Sequence, residues 1–431
     1  METKNTHTVD LSTDERGVMF NPDEEAKAAG WGTDDPYVCL AKLYVGPPVV
    51  KGVLEDLMGI PHQYDTSQWG GDVYSVLSYE AVNKAFLDPE TFSNRVYDKM
   101  SVTALGDTLL NMDGGKHKRM RNVSKPWFKP SFTDGWWTDK WIADAVDELF
   151  ERLMAKDHAD LNLELCAPLP MSVVSTGFGI PADEALEFRK ALLFHGTREE
   201  MIQGHQTATR ILMRLMTERR ADPQDDLISR FVQADLELED GSTRKMTDDE
   251  VMRYCNLIVH AGGGTTWRQM GITIMALLNH PEQMEALRND RSLMRATIQE
   301  VTRWYPTDTA FLRYVEKDTV LEGVEIKAGS VAMLCLGSAN HDRTQWEDPD
   351  SFNIHRPLKR HFAFGAGPHA CLGQHLSRQE MEVALGAVLD RLGGLRWDPE
   401  KPAARMGGGT LIGRGPDALH VRYRPIPKTS Q

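Results

Sequence analysis

One stretch of ten residues restricts the possible folds of this chain more than any other: Phe364-Gly365-Ala366-Gly367-Pro368-His369-Ala370-Cys371-Leu372-Gly373. It places a single cysteine directly after a glycine-rich turn. From Leu372 to about Leu392 there is no proline, and apolar residues recur with a roughly helical period. Cys371 is therefore predicted to lie at a helix N-terminus, where unpaired N–H groups and the helix dipole favour an anion. The thiolate form of cysteine is the one that binds metal.

The neighbours of Cys371 decide between several interpretations of this stretch. A lone cysteine is most often a small buried hydrophobic residue. His369 and His375 lie near enough to suggest zinc, but structural zinc sites usually contain paired C-x2–4-C or H-x3–5-H elements, and the chain has no such cysteine pair. A phosphate-binding loop is excluded because no Gly-Lys-Ser/Thr follows the glycines. Gly365 and Gly367 let the turn take unusual backbone angles and approach a flat ligand closely.

The pattern F-x-x-G-x-H-x-C-x-G resembles the haem-thiolate signature of the cytochrome P-450 superfamily. In that family the cysteine is the axial ligand of the haem iron. The resemblance therefore implies that Cys371 ligates haem b, and that Phe364, Gly365, His369 and Gly373 belong to the loop that holds the cofactor.

Composition limits the class of protein and its partners. A length of 431 residues alone would allow two or three domains. Hydrophobic residues make up 41% and charged residues 26%, as in ordinary water-soluble globular proteins. No apolar run approaches the ~20 residues of a membrane helix, and the polar N-terminus does not have the pattern of a secretion signal. Five scattered cysteines imply no disulfide framework, and a net charge of −14 argues against a nucleic-acid partner. We expect a cytoplasmic protein that does not associate with a membrane.

The first hundred residues contain few regular patterns. Residues 1–35 are polar and acidic, and we expect a loosely ordered arm there. Residues 73–80 alternate as in a strand, and 80–88 have the pattern of a short helix. Residues 93–112 are rich in apolar side chains but have no clean period. Such a loop is unusual unless something covers it or binds under it.

A basic helix is predicted after Asp113. Its charges stand out in an acidic chain, and they are Lys116, Lys118, Arg119 and Lys125. His117 and Arg121 lie four residues apart and share one helix face. A solvated basic surface is the ordinary interpretation of such a run. The spacing H-x-x-x-R also resembles the family's element that holds the haem propionates, which implies that role for His117 and Arg121. Arg313 matches the position of a further propionate-binding arginine in the family.

A long helix is predicted from the capping box Thr247-Asp248-Asp249-Glu250, since nothing stops it before Pro281. It would be about 50 Å long. Its middle contains the run Ala261-Gly262-Gly263-Gly264-Thr265-Thr266. Each interior glycine costs roughly 0.5–1 kcal/mol relative to alanine. We therefore predict that the helix is opened locally so that a ligand touches its backbone, with close helix packing as the alternative.

The same run resembles the family's oxygen-binding motif. It departs from the motif at the acid position, which is Gly264 in this chain. The resemblance implies that Ala261 and Gly262 border the haem site and that Thr265 is a catalytic residue.

Three charged residues match the family's structural lock behind the haem. Glu300 and Arg303 form an E-x-x-R pair on a predicted helix, and Arg356 is the expected third member. An isolated pair of this kind is normally a surface ion pair worth little. A planar guanidinium can also bind a carboxylate and backbone carbonyls together.

Helical patterns dominate residues 141–220, and the resemblance implies that 182–219 form the mobile helices over the substrate pocket. Residues 410–413 and 419–423 are predicted to form a terminal hairpin. Pocket-lining candidates lie in four mostly apolar ranges: 93–112, 182–219, 307–311 and 409–412. They suit a terpenoid, steroid, fatty or aromatic compound about equally.

These observations predict a mainly α fold with a small β portion, like that of the cytochrome P-450 family. Residues 36–431 would form a single catalytic domain, with haem b between the long helix and the cysteine loop. The resemblance implies a monooxygenase that inserts one atom of dioxygen into a small apolar organic substrate.

Electrons are expected from NAD(P)H through a ferredoxin reductase and a 2Fe–2S ferredoxin, because the chain contains no flavin or iron–sulfur segment. The basic helix, with Lys359, Arg360 and Arg378, would dock this acidic partner. Two alternatives stay open. The missing acid at Gly264 favours a haem-thiolate peroxygenase or reductase, and a haem sensor or carrier without turnover is the other.

Overall fold

The computed structural model of the chain describes residues 40, 43, 46–59, 66–99, 106–191, 198–407 and 412–428. The predicted arm at 1–35 lies outside the described residues, so the division into an arm and one domain stays a prediction. Parts of the expected pocket lining, at 100–105, 192–197 and 409–411, also lie outside them.

Helices form most of the described chain. In chain order they are α1 (Leu54–Leu57), α2 (Tyr79–Leu87), α3 (Gly114–Ser124), α4 (Pro130–Phe132), α5 (Ala143–Leu153), α6 (Pro168–Gly177), α7 (Ala182–Ala191), α8 (Arg198–Ala221), α9 (Leu227–Gln233), α10 (Asp248–Asn279), α11 (Pro281–Asn289), α12 (Met294–Trp304), α13 (Leu336–Ala339) and α14 (Gln374–Arg391). Short 3-10 turns occur at Thr66–Trp69, Asn94–Lys99, Lys125–Phe128, Arg291–Leu293 and Gly367–His369, and π-helical turns at Thr133–Ile142 and Asn162–Cys166.

The strands are short. They are β1 (Val49–Lys51), β2 (Val73–Val76), β3 (Phe92–Ser93), β4 (His158–Asp160), β5 (Asp235–Glu237), β6 (Thr243–Lys245), β7 (Ala310–Val315), β8 (Thr319–Leu321), β9 (Val324–Ile326), β10 (Val331–Cys335), β11 (Leu392–Trp397), β12 (Met406–Gly407), β13 (Gly415–Pro416) and β14 (His420–Pro425). The predicted strand near residue 73 and the helix after it are confirmed as β2 and α2.

Two sheets organise most of these strands. The larger has the order β1-β2-β10-β7-β3, in which β10 runs parallel to β2 and the other neighbours are antiparallel. The smaller has the antiparallel order β11-β14-β4. The largest hydrophobic core lies among the helices around α10. The mainly helical fold with a small β portion is confirmed.

The predicted long helix is confirmed as α10, a continuous helix of 32 residues. Its capping box forms as expected: the Thr247 hydroxyl accepts from the Glu250 N–H at 3.2 Å, and Glu250 Oε2 accepts from the Thr247 N–H at 2.9 Å. Reciprocal bonds of this kind satisfy N–H groups that have no partner within the helix. α10 packs against α6, whose residues are almost all buried, so it passes through the centre of the molecule.

The predicted terminal hairpin is wrong for the residues that the structure describes. Strand β14 pairs with β11 on one side and with β4 on the other, where His420 is opposite Asp160. Thr410 and Leu411 lie outside the described residues, and Ile412 and Gly413 are in no strand. The pairing of β14 depends on contacts about 260 residues apart in the chain, which local turn patterns do not contain.

The predicted charged trio is a buried ion network. Arg303 donates from Nε and Nη2 to the two Glu300 oxygens at 2.8 and 2.9 Å, and Arg356 Nε donates to Glu300 Oε1 at 3.0 Å. The side chains of Arg303 and Glu300 are 1% and 3% exposed. Arg303 also donates to the carbonyls of Asn340 and Pro349 at 2.9 Å each. The network joins α12 to the segment after α13, so the surface-pair interpretation is excluded.

Among the described helices, no single one is both long and apolar enough to cross a membrane, and only the bent pair Asn162–Gly177 and Ala182–Ala191 meets these criteria jointly.

Candidate active site

A cavity lies between the middle of α10 and the Cys371 loop. The centre of a water-sized sphere can move through about 370 Å³ of it. One ordered water needs only about 10–15 Å³ on that measure, so the space suits a large organic group. Most of the lining side chains are apolar, and the largest groups of lining residues come from α10 and from the loop 363–373.

The turn before Cys371 is fixed by two glycines. Gly365 and Gly367 have φ angles of 63° and 66°, in the left-handed region that favours glycine. A Cβ at Gly367 would also lie 2.2 Å from the carbonyl oxygen of Phe86, so no larger residue fits. The turn is closed by the Cys371 N–H, which donates to the Phe364 carbonyl at 2.8 Å. Cys371 is thereby held three residues before the start of α14 at Gln374.

Cys371 is exposed where it lines the cavity, although protein atoms closely surround its sulfur. Burial raises the pKa of its thiol, while the Gly373 N–H and the positive charges of Arg121 and Arg378 act in the opposite direction. The net direction is upward. The helix N-terminus favours the thiolate but does not outweigh burial, so the thiolate form stays a prediction that depends on a bound cation. A metal bonded to the sulfur would supply the missing charge, because a coordinating thiol loses its proton.

The side chains around Cys371 do not support a zinc site. In the described part of the chain, no cluster of three or more His, Cys, Asp or Glu residues could hold a metal ion. His369 instead hydrogen-bonds through both ring nitrogens, with Nδ1 3.0 Å from Asn94 Nδ2 and Nε2 3.0 Å from Asp113 Oδ1. Cys371 thus has no neighbouring ligands with which to complete a tetrahedral zinc site.

Basic and polar groups gather at one edge of the cavity. Arg121 and Arg313 both line it, and burial lowers the pKa of each guanidinium. Arg121 donates to the Ala370 carbonyl, beside Cys371. The buried ring of His117 lies 4.1 Å from that of His369. Burial, with the positive charges nearby, lowers the pKa of His117 to about 4, and His117 Nε2 has no hydrogen-bond partner among the described residues.

The wall opposite Cys371 is the glycine run of α10. A Cβ at Gly262 would have only Val174 Cγ2 near it, at 3.9 Å, so this position leaves the cavity wall flat. A Cβ at Gly263 would lie 2.6 Å from Met171 Sδ, which indicates close packing against α6. The predicted local opening of the helix is wrong, because α10 is continuous there. Side chains bind the carbonyls instead, with Thr265 Oγ1 donating to Ala261 O at 2.8 Å.

The structure brings the predicted site residues to one cavity. All of them line it except His117, whose ring packs against that of His369. The predicted residues in the lining are Arg121, Ala261, Gly262, Thr265, Arg313, Phe364, Gly365, His369, Cys371 and Gly373. Their roles stay predictions.

Asp308 lies in the predicted lining range 307–311, whereas sequence reasoning missed several other polar residues of the lining, among them Gln269, Thr302 and Glu380. Burial raises the pKa of Glu380 to about 8, and Glu380 Oε2 has no hydrogen-bond partner in the described part of the chain. A glutamate nine residues after Cys371 on a predicted helix gave no signal of burial, because the helix has apolar residues on several faces.

The donor set fits haem b. A sulfur atom faces the cavity at Cys371, small residues flatten the wall of α10, and arginine and histidine groups lie at one edge. The buried Nε2 of His117 has no partner among the described residues, so it is free to bind a polar group such as a carboxylate of the cofactor.

Comparisons with known proteins agree with this geometry. The family model "Cytochrome P450" matches residues 178–402. Cytochrome P450 107B1 of Saccharopolyspora erythraea is 31% identical over 371 residues, 82% of this chain and 90% of that protein. Vitamin D3 dihydroxylase of Streptomyces griseolus is 31% identical over 360 residues, 80% and 86% of the two chains. The crystal structure of CYP109E1 from Bacillus megaterium in complex with corticosterone has a TM-score of 0.76 at 27% identity, over 91% of this chain and 99% of that one.

Proposed function

From the premise that this chain belongs to the cytochrome P450 family, we propose that it inserts one atom of dioxygen into a small apolar organic substrate, with electrons that come from NAD(P)H through a separate ferredoxin. The family makes it an oxidoreductase that binds haem b. The observation that carries the proposal is the cavity between Cys371 and the glycine run of α10, because it offers a thiol on one wall and a threonine hydroxyl on the other.

We assign the binding of haem b to residues on three sides of the cavity. Cys371 Sγ would bind the haem iron, and Arg121, Arg313, His117 and His369 would hold the propionates. Arg121 and Arg313 keep positive charge beside the cofactor in a buried region, where each ion pair is strong. When bound, haem b supplies the iron centre at which dioxygen is reduced and split.

Thr265 is the proposed catalytic residue of α10. Its hydroxyl lines the cavity and donates to the Ala261 carbonyl, so its oxygen can accept a hydrogen bond from a water. Gly264 has no side chain, and the space beside it is bordered by Arg268 Nη1, 3.1 Å from the position of a Cβ. We propose that Thr265 holds a water that delivers protons without a neighbouring carboxylate.

The lining supports an apolar substrate. Its aliphatic and aromatic members include Leu257 and Ile258 of α10, Val174 of α6 and Phe311 of β7. Burial of such surface contributes about 25 cal/mol per Å² of apolar area removed from water. Similar proteins are named for vitamin D3 or were solved with corticosterone, which supports substrates of steroid size.

The surface of α3 supports docking of an acidic 2Fe–2S ferredoxin, which its reductase would reduce. α3 lies against the cysteine loop, since its Arg121 contacts Ala370. Two of the basic residues expected to contact the ferredoxin are already in ion pairs within the chain. Lys116 pairs with Asp107, and Arg119 pairs with Glu239 at 3.0 Å. Lys118 and Lys125 are exposed, with no ion pair among the described residues, and we propose that these two contact the ferredoxin.

The cytoplasmic location of the protein stays a prediction.

Turnover with isotopically labelled dioxygen tests the proposal. The haem-loaded protein is given NADH, ferredoxin and reductase together with a panel of steroids, terpenoids and fatty acids. A monooxygenase forms a product that contains one labelled oxygen atom. Product formed only when peroxide replaces the electron donors would support the peroxygenase that Gly264 favours. Spectral shifts on ligand binding, without any product by either route, would instead indicate a sensor or carrier.

A further inference from the structure

One carboxyl group faces the part of the cavity beside α10. Asp308 lines the cavity on the segment between α12 and β7 and is half-buried. Its Oδ1 accepts a hydrogen bond from the Gly413 N–H at 2.8 Å. No donor among the described residues reaches the second oxygen, Oδ2. A carboxylate can accept about four hydrogen bonds, so most of its capacity is unused.

The backbone on either side of Asp308 is held in place. The Thr307 N–H donates to Gln269 Oε1 on α10 at 3.0 Å, and the Thr307 carbonyl accepts from the Arg414 N–H at 2.9 Å. The Thr309 carbonyl accepts from the Gly337 N–H at 3.0 Å. The carboxyl group is therefore presented from a fixed position, which reduces the entropy lost when it binds a ligand.

The groups around Asp308 do not fully compensate the cost of burying its negative charge. Burial raises the pKa of Asp308, while the Gly413 N–H and the positive charge of Arg268 act in the opposite direction. Arg268 Nη1 donates to the Gly264 carbonyl at 3.0 Å, and its guanidinium lies over the Trp267 ring at 4.4 Å. A polar group that faces an apolar cavity costs free energy unless a ligand supplies the missing hydrogen bond.

We propose that Asp308 anchors a hydrogen-bond-donating group, a hydroxyl or an amine, of an otherwise apolar substrate. This inference rests on the proposed function, in that the cavity holds an organic substrate. The donor of the substrate binds Oδ2, and its apolar body lies along the wall that α10 and Phe311 provide. Asp308 thus selects substrates that carry a hydrogen-bond donor at one end, and it fixes the orientation of the substrate in the cavity.

Equilibrium binding tests the anchor without any turnover. Calorimetry measures the affinity of three probes of equal chain length, 1-decanol, decyl methyl ether and N,N-dimethyldecylamine, for the haem-loaded parent and for Asp308→Leu and Asp308→Asn. We expect the parent to prefer decanol and the amine over the ether by about tenfold, the size of a hydrogen bond to a charged group. Asp308→Leu should lose both preferences. Asp308→Asn, which keeps a carbonyl oxygen, should keep the preference for decanol and lose most of that for the amine.

A purely structural role gives a different pattern. If Asp308 only fixes the loop at Gly413, the leucine variant binds all three probes more weakly by one common factor, and the preference ratios stay those of the parent. That result overturns the anchor. The absorption band of the reduced, CO-bound protein, measured on each variant, checks that the haem site is intact. Since affinity is measured without electron donors, failure of the anchor and failure of the monooxygenase proposal are separate results.

Discussion

Thr265 is the residue on which proton delivery depends in this account. Its hydroxyl is 2.8 Å from the Ala261 carbonyl and faces the cavity, and the next residue towards the N-terminus, Gly264, has no side chain. A water beside it needs at least two polar partners. The Thr265 oxygen and a group of the substrate can provide them.

Thr265→Ala should lower the product formed per NADH consumed and raise the release of peroxide, because dioxygen then receives its protons in the wrong place or too slowly. General acid–base groups typically contribute about 10²–10⁴-fold, so the loss of product should be at least severalfold. Product, NADH and peroxide are measured in the same reaction. Thr265→Ser keeps the hydroxyl and should behave like the parent. Equal coupling in the alanine variant and the parent would make Thr265 an ordinary helix residue.

Glu380 gives a prediction about pH and stability. Its pKa is raised by burial from an ordinary 4.5 to about 8, so between these values the folded protein holds a proton that the unfolded chain has lost. The free energy of unfolding should therefore fall as pH rises across this range, by up to about 1.4 kcal/mol per pH unit from this group. Glu380→Gln is neutral at every pH and should remove that contribution.

Denaturant unfolding of the haem-loaded protein between pH 4.5 and 8 measures this effect. The glutamine variant should gain stability relative to the parent as pH rises. A difference between the two proteins that stays constant across the range would mean that Glu380 is ionised in the fold.

The cysteine loop could be predicted from sequence because its information is local. Spacing alone puts Cys371 after Gly367 and before a helix, and the structure has that arrangement. Asp308 lies in the lining range 307–311 that the resemblance implied, but nothing in the sequence singled out its carboxyl group. In sequence it is a polar residue after a proline, as in any loop, and only the packing of β7, α10 and residue 413 turns it towards the cavity.

At the scale of elements, the buried network around Glu300 holds α12 against the segment that leads to the cysteine loop. Removing Glu300 leaves Arg303 and Arg356 without their carboxylate in a region where Arg303 is 1% exposed. Loss of one partner from a buried pair typically costs about 3–5 kcal/mol. Glu300→Ala should therefore fold poorly or carry little haem.

Haem content per protein and the denaturation midpoint measure this loss. The matched control is Arg343→Ala, which breaks an exposed ion pair with Asp350 and should change stability by less than about 1 kcal/mol. Normal haem loading and stability in Glu300→Ala would contradict the structural role of the network.

Elements whose ends are marked locally were predictable, and those set by distant partners were not. α10 follows from a capping box at Thr247 and the absence of proline before Pro281. The hairpin expected at the C-terminus fails because β14 pairs with β4 and β11, and no turn sequence encodes those partners. The opening expected at Gly263 fails because the glycine serves packing against Met171.

At the scale of the whole molecule, the chain is acidic overall, with a net charge of −14, yet α3 presents basic side chains beside the cysteine loop. Attraction between this surface and an acidic ferredoxin would raise the association rate, and salt would screen it over about 8–10 Å. Reduction by ferredoxin should therefore slow as ionic strength rises.

The double variant Lys118→Gln/Lys125→Gln should slow reduction at low salt and weaken the salt dependence. Stopped-flow reduction of the haem by ferredoxin measures both. Lys327→Gln, on the hairpin β8–β9, removes one charge elsewhere and should have little effect. Unchanged rates in the double variant would rule out this docking surface.

We propose that Cys371 ligates haem b through its sulfur. The most direct test is the absorption spectrum of the reduced, CO-bound protein. The parent, and variants with serine at Cys39, Cys166, Cys255 or Cys335, should have the long-wavelength band typical of thiolate-ligated haem. Cys371→Ala should lose that band even where haem stays bound. A Cys371→Ala protein that kept the band would contradict the account.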